Sequence, residues 1–143
     1  MPTKKRNNIV VDTGILISAF AFGGVPEKAV KKALEEGDIF VSPDLLAEYR
    51  NVPLELEAEG KISHLQFEAL ISGIASFVAN AKVVLSRRRL MLCRDEKDNM
   101  VLECCLEAKA SILITGDRDL LEIVNLPFSL RILVPKEYLM LNQ

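Results

Sequence analysis

Tryptophan is absent, histidine occurs once, at His64, and cysteine three times, at Cys93, Cys104 and Cys105. The cysteines make neither a paired framework nor a C-x-x-C spacing, so neither a disulfide scaffold nor a Cys/His zinc site is expected. No apolar run approaches the roughly 18 residues that cross a bilayer, and nothing at the N-terminus reads as a secretory leader. The expectation is a soluble, cytoplasmic protein with reduced thiols and no membrane partner. A strong positive charge is missing too: the formal net charge is −2 and the pI is near 5.5. Without a global basic field, any contact with nucleic acid has to be local.

Half of the 143 residues are hydrophobic, which excludes a disordered chain and suffices for one globular core. A single domain over residues 1–143 is expected, in which Met-Pro-Thr-Lys-Lys-Arg-Asn at positions 1–7 forms a short basic tail. There is no internal repeat, linker or low-complexity segment.

The organising stretch is Ile9-Val10-Val11-Asp12-Thr13-Gly14-Ile15-Leu16-Ile17. Its unbroken β-branched start reads as a strand buried on both faces, as in a parallel sheet. Asp12 then stands at the strand's end, either as a helix cap or as part of a site in the crevice beyond the strand ends. A helix over residues 15–22 follows, Gly23-Gly24 breaks the chain, and a helix from Pro26 stops at Gly37. After a strand at 39–41, Ser42 caps and Pro43 opens a third helix carrying Asp44 and Glu48, one turn apart; Pro53 is expected to bend or end it. Ser63-His64-Leu65-Gln66 is a capping box opening a helix to residue 80 despite Gly73, which leaves His64 on the surface. A strand at 82–85 precedes Arg87-Arg88-Arg89, a cluster that is either a solvated face or a local phosphate contact. Arg94-Asp95-Glu96-Lys97-Asp98-Asn99 opens a helix to residue 108, with Val101, Leu102, Cys104, Cys105 and Ala108 as its buried stripe. A strand at 111–115 ends in Gly116-Asp117-Arg118-Asp119, a short helix spans 120–123, and a last strand spans 131–134. Strands alternating with helical patterns imply an α/β fold, a mainly parallel sheet of about five strands with helices on both faces.

Asp12 and Asp117 end strands, while Glu48 and Asp98 lie at the starts of helices that follow strands. All four therefore belong to one edge of the sheet and are expected to meet. Like charges at that range raise one another's pKa, and a divalent cation is the usual remedy. Oxygen ligands without Cys or His favour Mg²⁺ or Mn²⁺. Such an ion activates water and clamps the transition-state charge of a phosphodiester, so the chemistry implied is hydrolytic phosphoryl transfer.

Val11-Asp12-Thr13, Ser42-Pro43 with Glu48, Arg94 to Asn99, and Leu113-Ile114-Thr115-Gly116-Asp117-Arg118-Asp119-Leu120-Leu121 resemble, in order, the motifs of the PIN domain. The nearest branch is the bacterial and archaeal one described as toxin components of toxin–antitoxin systems. The resemblance implies a three-layer α/β/α fold and a metal-dependent endoribonuclease acting on single-stranded RNA and leaving a 5′ phosphate. It implies Asp12, Glu48 and Asp98 as metal-site acids, Asp117 as the fourth, and Thr13 and Thr115 as supporting hydroxyls. Asp95 and Asp119 are read as helix caps first, and Asp44 as less involved than Glu48. Arg87, Arg88, Arg89, Arg118 and the Lys4-Lys5-Arg6 tail are the candidate RNA contacts. An antitoxin protein and a second copy of the chain are the partners implied. One departure stands out: the family reads Asp-Thr-Asn where this chain has Asp12-Thr13-Gly14, and Ser18 or Asn99 would have to compensate. Two alternatives stay open: a catalytically degenerate PIN-like module that binds RNA or protein, and a phosphatase of the haloacid dehalogenase type, which wants an acid where Gly14 stands.

Overall fold

The computed structural model describes residues 6–141. Five strands, β1 (Asn8–Val11), β2 (Asp38–Val41), β3 (Ala81–Val83), β4 (Ile112–Ile114) and β5 (Arg131–Leu133), form one all-parallel sheet in the order β3-β2-β1-β4-β5. Seven α-helices connect or flank them among the described residues: α1 (Thr13–Ile17), α2 (Val25–Glu36), α3 (Pro43–Ala58), α4 (His64–Ala79), α5 (Glu96–Ala108), α6 (Arg118–Leu121) and α7 (Pro135–Leu139). Right-handed crossovers place α2, α3 and α4 on one face and α5 and α6 on the other, which is the expected three-layer α/β/α arrangement. None of the described helices is long and apolar enough to cross a membrane.

The strand order sets the site. The chain leaves β1 toward β2 on one side, whereas it leaves β4 toward β5 on the other. A crevice opens beyond the carboxyl ends of two adjacent strands whose connections diverge in this way. Val10, Val11, Leu113 and Ile114 are completely buried, as expected of strands covered on both faces. The central pair therefore holds its terminal residues, Asp12 and Thr115, in fixed register.

Several local expectations were changed by packing. The first helix tightens into α1 and then widens into a π-helical segment, Ser18–Phe22, that seats the Phe20 ring on α4. Gly73 is the reason that ring fits: a Cβ there would lie 2.4 Å from Phe20 Cγ. Pro53 does not end α3, which continues to Ala58 with the proline buried inside it; apolar burial offsets the ladder bond that the ring cannot donate. The third strand spans Ala81–Val83, one residue earlier and shorter than expected. Gly24 takes a φ of 74° to turn the chain into α2. Ser42 caps α3 through the Leu45 N–H, and Ser63 and Gln66 complete the capping box of α4. His64 is exposed and pairs with Glu57 and Glu68.

Of the basic tail, residues 1–5, including Lys4 and Lys5, lie outside the described residues. Arg6 is fastened to the start of β2 through the Asp38 carboxylate at 3.2 Å and the Gly37 carbonyl at 2.6 Å. That is the opposite edge of the sheet from Asp12, so Arg6 is no contact for a ligand in the crevice.

Candidate active site

Asp12, Glu48, Asp98 and Asp117 all line one open crevice of about 390 Å³ at the carboxyl edge of the sheet, with Gly14, Ser18, Asp95 and Lys97 among its other walls. The four acids named in the sequence thus come together. Asp12 serves both of its anticipated parts: Oδ1 accepts the Thr13 N–H at 2.9 Å and so caps α1, while Oδ2 faces β4 and accepts the Thr115 hydroxyl at 2.6 Å. Thr13, buried behind it, donates its own hydroxyl to Glu48 Oε1 at 2.8 Å. Each threonine therefore holds a carboxylate that comes from another element.

The electrostatics are those of crowded acids. Burial raises the Asp12 carboxyl above its usual range, opposed by the Thr115 and Thr13 hydrogen bonds and reinforced by Glu48 and Asp117. Asp98, in the first turn of α5, is only 5% exposed. Burial first, then a hydrogen bond to Asp117 that only the protonated acid can donate, push its carboxyl up to about 7. Its Oδ2 is buried with no hydrogen-bond partner.

Asp98, Asp117 and Asp119 each bring one oxygen within 4.8 Å of the others. A Mg²⁺ or Mn²⁺ ion at about 2.1 Å from each would draw octahedral ligands to roughly 3–4 Å from one another, so a small closure suffices. The all-oxygen donors, their mutual repulsion and the unpartnered Asp98 oxygen fit a hard divalent cation. Asp119 is the unexpected member of that set. The sequence predicts it as the cap of the short helix, but Asp117 takes that position and accepts the Asp119 N–H at 2.9 Å. Asp95 does cap its helix, through the Lys97 N–H.

The basic residues singled out in the sequence stand elsewhere. Arg87, Arg88 and Arg118 line neither this crevice nor the larger cavity beside it. Arg118 pairs with Glu122. Arg89 reaches the neighbouring cavity, where it bridges Asp44 and Glu103. One member of the cluster, Arg89, is drawn into an ion pair with an acid of α5, which the local run alone could not reveal.

What sequence reasoning missed is the seam that holds the segment at residues 87–93 along α5. Glu107 accepts the Arg87 N–H, Glu103 the Leu90 N–H at 2.8 Å, and Asn99 Oδ1 the N–H groups of Leu92 and Cys93 at 3.0 and 2.8 Å. Asn99 Nδ2 returns a bond to the Cys93 carbonyl. The three acceptors recur every fourth residue, so they share one helix face; that spacing was the available signal. Asn99 is consequently engaged away from the crevice, whereas Ser18 lines it beside Gly14. Open space surrounds Gly14: a Cβ there would meet nothing within 4 Å.

Comparison with known proteins agrees with this architecture. A family profile for the PIN domain matches residues 8–119. An uncharacterized protein of Methanocaldococcus jannaschii, MJ1680, is 30% identical over 123 residues, covering 84% of this chain and 77% of the relative. Among solved structures, VapBC2 from Rickettsia felis, bound to a DNA fragment from their promoter, superposes with a TM-score of 0.59 at 14% identity, covering 87% of this chain and 98% of the other, a similarity of fold. The haloacid dehalogenase alternative falls with the family match. With its motifs, its all-parallel sheet and more than half of its length matched, the chain belongs to the PIN domain family.

Proposed function

We propose that this protein is a Mg²⁺- or Mn²⁺-dependent endoribonuclease that hydrolyses phosphodiester bonds of single-stranded RNA. The observation that carries the reading is the convergence of Asp12, Glu48, Asp98 and Asp117 on one crevice, with a buried Asp98 oxygen left without a partner. Membership of a family of nucleases supports it. Asp98 and Asp117 would hold the ion, with Asp12 and Glu48 as further ligands and Asp119 within reach. When bound, such an ion supplies a Lewis acid for the phosphodiester and makes water a competent nucleophile near neutral pH.

The chain's own groups account for the rest. Thr115 and Thr13 fix the carboxylates of Asp12 and Glu48, so that little reorganisation is left for the moment of reaction. Asp98 holds a proton near neutral pH, and a cation competes with that proton for the same oxygens. Water adds to phosphorus, the bond to the 3′ oxygen breaks, and the products are a 3′ hydroxyl and a 5′ phosphate. An antitoxin protein as partner, cytoplasmic location and assembly into a homodimer extend the reading; the fold shared with VapBC2 supports the first of these.

The test is cleavage of an end-labelled single-stranded RNA with Mn²⁺, Mg²⁺ or EDTA, run beside Asp98→Asn. Cleavage that requires metal and vanishes in the variant is expected; metal-independent cleavage, or an equally active variant, would refute the assignment. Gly14 favours one second reading, a degenerate module, because the crevice lacks a side chain where the family has Asn. Calorimetry with Mn²⁺ distinguishes them: absence of binding at millimolar ion would favour the module.

A further inference from the structure

Beside the acid crevice lies a second cavity of about 760 Å³, and Lys97 lines both. Lys97 is the single cation on the wall of the acid crevice, is exposed, and makes no ion pair among the described residues. It stands in the first turn of α5, where the helix dipole opposes a positive charge. Arg89 and Arg94 on the neighbouring cavity are both ion-paired, to Asp44 and Glu103 and to Asp119. Lys97 is thus the cation left available at the junction.

The second cavity is also apolar on part of its wall. Leu90, Met91 and Met100 line it, and Met91 is 94% exposed on a segment that the α5 seam holds in place. Its volume falls within the roughly 300–1,000 Å³ of pockets that take small organic ligands. A single strand needs a cation for its backbone and an apolar face for its base, at one nucleotide's distance from each other; thioether side chains adapt readily to a flat ring.

We infer that this cavity is the subsite for the nucleotide next to the scissile phosphate of a single-stranded RNA, with Lys97 as the phosphate contact between the two cavities. The inference rests on the nuclease reading for the position of the scissile bond. A protein ligand is less well matched, because the cavity connects to the acid crevice through a cation rather than through an apolar ridge.

The test compares wild type, Lys97→Gln, Lys97→Arg and Met91→Ala. Cleavage kinetics are measured in Mn²⁺, and binding of a fluorescent single-stranded RNA is measured in Ca²⁺ across a salt series. Lys97→Gln is expected to raise KM about tenfold with kcat within about twofold, and to flatten the slope of log K against log salt by about 0.7; Lys97→Arg restores both. Met91→Ala raises KM a few-fold without changing the slope. Cleavage with KM and slope unchanged in Lys97→Gln would overturn the subsite and leave the nuclease standing, with a protein partner as the better occupant. Lys97-dependent RNA binding without cleavage by wild type would do the reverse, and neither binding nor cleavage would overturn both.

Discussion

Thr115 donates its hydroxyl to Asp12 Oδ2 at 2.6 Å and accepts the Asp117 N–H at 3.1 Å, so one side chain joins the ends of β1 and β4 to the start of α6. Thr115 is completely buried. Thr115→Val keeps the shape and removes both bonds. The expected cost is about 1–3 kcal/mol of stability, because a charged acceptor loses its donor, together with a roughly 10 to 100-fold fall in metal affinity. Urea denaturation and Mn²⁺ titration of the same variant measure the two; a variant with wild-type metal affinity would show that Asp12 needs no such orientation.

Asp98 makes the fold pH-sensitive in an uncommon direction. Its carboxyl is pushed up to about 7, chiefly by burial and then by the bond to Asp117. Between the ordinary carboxylate range and about pH 7 the folded, metal-free protein holds a proton that the unfolded chain has released, so this group's contribution to stability falls as pH rises through that window. Comparing wild type with Asp98→Asn in EDTA isolates it. The two should melt alike at about pH 4, the bottom of that window, and the variant should be more stable by pH 8, by at most about 1.4 kcal/mol per unit of the window. A difference that does not grow with pH would refute this account of Asp98.

Saturating Mn²⁺ should stabilise wild type but not Asp98→Asn, and the gain should increase from pH 5 to pH 8 because the ion displaces the proton. Differential scanning fluorimetry with and without EDTA reads this directly. A stabilisation equal in both proteins would move the ion away from Asp98.

Gly14 has no neighbour within 4 Å of where a Cβ would stand and lines the crevice. Gly14→Asn therefore fits without displacement, and it places at this wall the side chain that the family carries. Metal affinity or cleavage is expected to rise, by up to about tenfold. Unchanged activity, combined with loss of activity in Ser18→Ala, would assign that position's part to Ser18.

Gly73→Ala should destabilise, although alanine is the better helix former by about 1 kcal/mol. The new methyl would meet the Phe20 ring at 2.4 Å, and overpacking of this kind costs about 1–3 kcal/mol. A more stable variant in urea would mean that the π-helical segment shifts freely.

The parts of this molecule that are legible in sequence are those dictated by near neighbours. Ser42-Pro43, the Ser63–Gln66 box and the β-branched run at Ile9-Val10-Val11 each carry their own explanation, and the first and last of them place Glu48 and Asp12 by topology alone. The parts that are not legible depend on distant partners. Pro53 stays within α3 because the core receives it, the widened turn at Ser18–Phe22 exists because Gly73 leaves room, and Arg89 turns from the crevice because Glu103 of α5 and Asp44 pair with it. Asp117 takes the cap expected of Asp119 while keeping its place in the crevice, for a similar reason: which of two acids caps a four-residue helix is decided by the hydrogen bond that Thr115 accepts from the Asp117 N–H.

The seam of Asn99, Glu103 and Glu107 turns a connecting segment into a ruler. Surface loops are ordinarily the most yielding parts of a fold, yet this one takes its spacing from a helix that rises roughly 1.5 Å per residue. Arg89 and Met91 therefore keep a fixed offset from Asp98, which lies on the same helix one residue before Asn99. A single strand bound across both cavities, as proposed above, would lie against a graduated edge, with the spacing between its contacts set by α5 rather than by the strand.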